Sequence, residues 1–96
     1  MSRMDRLSTY RTTIGADDTG ALVVTYVRTP IVRADRETVT LRNGGYMTVT
    51  TKRKMNQAAR QFGLGFSVYQ KAFGWFVVLP SGETVEFDDG MIFARV

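Results

Sequence analysis

Most of this chain alternates short apolar or threonine-rich runs with glycine, proline and aspartate turns, and in one stretch alone the apolar spacing becomes that of a helix. The residues Met55, Ala58, Ala59 and Phe62 follow the i, i+3, i+4, i+7 repeat of a single buried helical face, with Arg53, Gln57 and Arg60 on the opposite side. Thr51 suits an N-cap, whose side-chain oxygen accepts an amide hydrogen of the first turn, and Gly63 suits the left-handed residue that ends a helix. The spacing therefore predicts a helix over residues 52–62. A lone helix with one apolar face must bury that face on something, and strands are all the rest of the chain offers. The expected fold is α+β: a mostly antiparallel sheet of about five to seven strands with the helix packed on it.

The strands read as follows. Residues 7–14 are rich in threonine and tyrosine, the polar cluster from Gly15 to Gly20 is a turn, and residues 21–28 form a second strand. Pro30 has no amide hydrogen, so a bend or an edge position is expected there before a short strand at residues 31–33 and a turn at residues 34–36. Residues 37–51 look like a hairpin. A two-residue loop would mix polar with apolar side chains on both faces, whereas an Asn43-Gly44-Gly45 loop pairs Leu41 with Met47 and Val39 with Val49. The other face then carries Arg42 with Tyr46, Thr40 with Thr48 and Thr38 with Thr50, an exposed ladder leading into the helix. After the helix, a meander is expected over residues 66–94. The run Trp75 to Leu79 is apolar throughout, as in a strand covered on both sides, and pairing Val78 with Val85 and Phe76 with Phe87 brings Tyr69, Phe76, Val78, Val85 and Phe87 together.

A chain of 96 residues fits one domain, residues 1–96, with a modest core. It has no cysteine and no histidine, which removes thiol chemistry, the usual zinc sets and the commonest general base. Asp17, Asp18 and Gly20 lack the spaced carboxylates and closing glutamate of a calcium loop. Glu83, Glu86, Asp88 and Asp89 have no identifiable catalytic partners, and no phosphate-binding loop is present. The reading is a protein that is not an enzyme, with no metal and no cofactor. No apolar run approaches the roughly 20 residues of a membrane span, so an intracellular location is expected.

Charge is distributed unevenly along the chain. The net charge is +4, yet no acidic residue lies between Glu37 and Glu83, while Arg42, Lys52, Arg53, Lys54, Arg60 and Lys71 all do. Cations at Lys52, Arg53 and Lys54 in a first helical turn oppose the positive end of the helix dipole, at roughly 0.3–1 kcal/mol each. Helix amides, Thr50, Thr51 and these cations together make an anion site, so phosphate contacts are assigned to Lys52, Arg53, Lys54 and Arg60, supported by Arg42, Lys71 and Tyr46. Phe66, Phe76 and Phe87 are expected in the core, while Phe73, at a hairpin tip, and Trp75 are the candidate contacts for a protein partner.

Finally, Gly44-Gly45-Tyr46, Thr50-Thr51-Lys52-Arg53, Met55-Asn56-Gln57, Arg60-Gln61-Phe62-Gly63-Leu64-Gly65, Val68-Tyr69-Gln70-Lys71 and Trp75-Phe76-Val77 resemble a group of small proteins encoded by tailed bacteriophages. The likeness covers about the C-terminal two thirds, and Tyr46 stands where that group more often has tryptophan. It implies expression in the cytoplasm of a bacterial host and supplies no activity or site residue. Small phage proteins commonly bind nucleic acid or disable a host or defence protein. The two expectations are thus a nucleic-acid-binding accessory protein and a protein-protein inhibitor of a host or defence factor, with a virion or assembly component as a third.

Overall fold

The computed structural model describes residues 11–45 and 48–95. Within them the chain forms β1 (Thr12–Ala16), β2 (Leu22–Tyr26), β3 (Thr29–Ala34), β4 (Thr38–Leu41), α1 (Val49–Gln61), β5 (Ser67–Lys71), β6 (Gly74–Val78), β7 (Thr84–Glu86) and β8 (Met91–Ala94). The strands make two antiparallel sheets, one in the order β1-β2-β3-β4-β8 and one in the order β5-β6-β7. The α+β class with one helix is as the sequence predicts. The described strands number eight rather than five to seven, and they are divided between two sheets.

In the larger sheet, alternation places one row of side chains inward. Val24 lies opposite Val32, Val32 opposite Leu41, and Val39 opposite Phe93, and all of these are buried. Pro30 is accommodated by a register shift between Val24 and Thr25, and β4 pairs with β3 only from Val32 onward, so Pro30 needs no ladder donor. The turn after β1 is held by Asp17, whose carboxylate accepts from the Thr19 amide, the Thr19 hydroxyl and the Ala21 amide, and pairs with Arg33 at 2.8 Å. Those bonds, the Thr19 hydroxyl first and Arg33 next, hold the Asp17 pKa well below the usual carboxylate range. The expected strand over residues 7–14 lies partly outside the described residues.

The smaller sheet packs its inner face into the same core, through Val68, Trp75 and Val77 beside Met55, Ala58 and Ala59 of α1 and Phe93 of β8. Phe66 meets Phe93 edge-on at 5.6 Å, joining the two sheets. The register differs by one residue from the expected one: Val77 pairs with Val85 and Phe76 with Glu86. Phe87 therefore stands opposite Trp75, donating its amide to the Trp75 carbonyl and packing edge-on against the indole at 5.4 Å. The β6 run is covered on one side only. Trp75 and Val77 are buried, while Phe76 sits on the outer face, stacked on Tyr69 at 5.6 Å, and not in the core.

The helix begins three residues before the expected start. Thr48 is the N-cap, in extended conformation, and its hydroxyl accepts the Thr51 amide at 3.1 Å. Thr51 is buried inside the helix. The expected hairpin over residues 37–51 does not form, because β4 is already bounded by β3 and β8 and residues 49–51 are helical. Asn43 instead turns the chain out of the sheet, its Oδ1 accepting from the Gly45 amide. Gly44 has φ of 64°, and a Cβ there would meet the Thr29 hydroxyl at 2.8 Å, so the loop packs tightly on β3. Thr40 of the expected exposed ladder is buried. The helix stops as predicted: Gly63 has positive φ and the Leu64 amide reaches back to the Ala59 carbonyl.

Candidate nucleic-acid interface

With Thr48 as the cap, Val49, Lys52, Arg53, Asn56, Gln57 and Arg60 recur at intervals of three and four and line one shallow groove of about 280 Å³. Lys52 to Arg60 spans about 12 Å of helix axis. Among the described residues, the ion pairs are those of Arg33 with Asp17 and Asp35, and no carboxylate pairs with Lys52, Arg53 or Arg60. The dipole conflict expected of a first turn is weaker than foreseen. Lys52 and Arg53 now stand beyond that turn, where the end effect has decayed, and Arg60 in the last turn is favourably placed. Asn56, in the same groove, serves the fold: its amide donates to the Val68 carbonyl and accepts the Val68 amide, covering the outer edge of β5 like a neighbouring strand. Gln57 is buried, and its Oε1 has no donor among the described residues.

The other predicted residues scatter. Lys54 is buried, with Nζ 5.2 Å from the centre of the Tyr26 ring, and burial pushes its pKa down, so it is not part of the surface stripe. Arg42 is exposed but lies against Gly90, at the turn before β8. Lys71 is exposed at the end of β5, outside the groove. Tyr46 lies outside the described residues. Trp75 is buried in the core and presents no surface to a partner, because the actual register turns it inward.

Against that geometry, a family model described as Kyanoviridae Gp96 protein matches residues 1–94 of the chain. The chain belongs to the Kyanoviridae Gp96 family. Gp96 proteins are proteins of tailed phages, and the match reaches well beyond the C-terminal two thirds on which the resemblance rests. No curated protein and no solved structure matches this member of the family. Among its described residues, no helix is long and apolar enough to cross a membrane.

Two further features of this Gp96 protein lie apart from that groove, the first not legible in the sequence and the second carrying Phe73, which the sequence offers as a partner contact. The first is a cavity of about 430 Å³ beside the α1 N-terminus, lined by Tyr26, Val27, Arg28, Ile31, Asn43 and Thr50 among others. The sequence hides it because residues 21–28 look like one strand and Asn43 like a hairpin tip. The second is the β5–β6 turn, where Lys71 faces Gly74 and the two intervening residues, Ala72 and Phe73, both have positive φ, 50° and 69°. Phe73 is 96% exposed there.

Proposed function

We propose that this phage protein is a non-enzymatic accessory protein that acts in the host cytoplasm and binds nucleic acid along the exposed side of α1. The supporting observation is the stripe of Lys52, Arg53 and Arg60, which shares one groove and has no carboxylate partner among the described residues. Unpaired surface cations in a row attract phosphates irrespective of base sequence. Three phosphate contacts on duplex DNA give a log–log salt slope of about −2.7, equivalent to about 40-fold weaker binding between 50 and 200 mM salt. Fluorescence anisotropy on labelled single- and double-stranded DNA and RNA tests this. Replacing Arg53 and Arg60 by Gln reduces the duplex slope by about 1.8. Absence of binding at low salt sinks the reading.

A second reading rests on Phe73. A fully exposed phenylalanine held in the left-handed region is an unusual use of a hairpin tip, and the two strands that this tip joins carry the Tyr69–Phe76 stack on the outer sheet face. It fits a module that binds and blocks a host or defence protein. Pull-down from host lysate with and without nuclease separates the two: a partner that survives nuclease and is lost with Phe73→Ala favours the second.

A further inference from the structure

We infer that the open edge of β8 is a self-association surface, on which a second copy of this chain adds its own β8 antiparallel and joins the two larger sheets about a two-fold axis. β8 is the last strand of the larger sheet, with β4 on one side and no strand on the other among the described residues. Arg95 donates its amide to the Glu37 carbonyl. Bonded residues alternate along an antiparallel ladder, so Phe93 also faces β4, while the backbone N–H and C=O of Ile92 and Ala94 face the open edge. A two-fold axis at Phe93 sets Ile92 opposite Ala94 of the second copy, and the two strands then pair all of these groups.

Two other sheet edges are guarded, and this one is not. Exposed edges are blunted by charged side chains, proline, bulges, shortness or a covering group. Asn56 covers the edge of β5, and β7 is three residues long and carries the exposed Glu86. β8 reads Met-Ile-Phe-Ala, without a charge or a proline, and pairs with β4 without a register shift. Ile92 is 66% exposed, on the face opposite the buried Phe93. Charge selects both the direction and the occupant. The exposed Asp88-Asp89 turn stands before β8 and Arg95 directly after it. Antiparallel addition of an identical strand brings each Arg95 towards the acidic turn of the other copy, whereas parallel addition sets like charges side by side. The edge is therefore self-complementary, as an isologous interface requires. The axis is perpendicular to the joined sheet, and α1 packs into the core on the inner face, so both helices fall on the same side. On the nucleic-acid reading proposed above, that presents two cationic stripes to one polyanion; the dimer itself does not depend on that reading.

Sedimentation velocity on the full chain, without nucleic acid, tests the proposal. A strand of four residues buries less than a standard interface, so a monomer–dimer equilibrium is expected with Kd on the order of 10–100 µM. Hydrogen exchange at the Ile92 and Ala94 amides is expected to slow as the protein concentration crosses that Kd. Ala94→Pro removes an amide that faces the edge, and Ile92→Lys places a charge at an exposed position. Both are expected to keep the wild-type circular dichroism and to weaken the dimer by roughly tenfold or more. Asp88→Lys, which sets like charges together across the axis, is expected to weaken it by roughly threefold or more. A chain that stays monomeric up to about 1 mM overturns the proposal. So does an oligomer that survives Ile92→Lys, one lost with Phe73→Ala instead, growth beyond dimers, or protection of the Ile92 and Ala94 amides that is independent of concentration.

Discussion

Replacing Ala72-Phe73 by Asn-Gly isolates the strain at the β5–β6 tip. The turn has two residues between the facing pair Lys71 and Gly74, and both have φ values in the left-handed region. A two-residue hairpin turn of this kind is normally Asn-Gly, because an L side chain there costs roughly 1–2 kcal/mol. Asparagine recovers part of that at position 72 and glycine all of it at position 73, less about 0.5–1 kcal/mol for the extra freedom of glycine in the unfolded chain. Phe73 is 96% exposed, so its removal forfeits almost no burial. The net expectation is stabilisation by about 1–2 kcal/mol, or roughly 5–10 °C in Tm for a chain of this length. Calorimetry on the wild type, the double variant and Phe73→Ala reads it out. Phe73→Ala keeps a side chain at the strained position and is expected to shift Tm by less than 2 °C, as an order-of-magnitude bound for an uncovered residue. An unchanged or lower Tm in the Asn-Gly variant, or a large loss in Phe73→Ala, refutes the argument that the tip is strained and unburied.

Asn56→Ala strips the Val68 amide and carbonyl of their partners and is expected to cost about 2–3 kcal/mol, read as a Tm drop of roughly 10 °C. Lys54→Met is expected to fold and to leave the salt slope of DNA binding unchanged in anisotropy, since Lys54 is buried against Tyr26. Asp17 has a depressed native pKa, so its contribution is fully present above the unfolded carboxylate value of about 4 and fades as pH falls toward the native one. The Tm difference between wild type and Asp17→Asn is therefore expected to hold steady above pH ~5 and to narrow below pH ~4; a constant difference down to pH ~2.5 contradicts it.

Local periodicity made the helix face and its stop at Gly63 readable, and with them the stripe Lys52, Arg53 and Arg60. The start was misread because Thr48 and Thr51 both suit a cap, and Val49, Thr50 and Thr51 are β-branched, a composition shared with strands. The partner of β4 is β8, at the far end of the chain, and no local pattern reports such a pairing. The fate of Lys54 depends on Tyr26 from β2, and that of Trp75 on a one-residue register, since a slip of one exchanges the two faces of a strand. Arg28 and Asn43 line one cavity only because the β2–β3 turn and the loop after β4 meet at the helix end, which no local pattern reports.

Among the described residues no carboxylate pairs with the helix stripe, and three carboxylates, those of Asp17, Asp35 and Asp89, are engaged elsewhere. Asp17 and Asp35 accept from amides of their own turns and share Arg33. Asp89 accepts the Asn43 amide. Glu86 belongs to β7, on the far side of β6 from β5, and β5 is the strand that Asn56 ties to the helix. Two strand spacings place β7 about 10 Å beyond β5, further than the Debye length of about 8 Å at physiological salt. Lys52, Arg53 and Arg60 are thus not neutralised by Glu86, and the strand that carries Glu86 lies across the outer sheet face from Lys71. That separation also distinguishes the two surfaces. On the proposed nucleic-acid reading a polyanion is attracted to the helix stripe and repelled near Glu86, whereas on the second reading the Phe73 tip, the Tyr69–Phe76 stack and Glu86 supply the mixed apolar and acidic character of a protein contact.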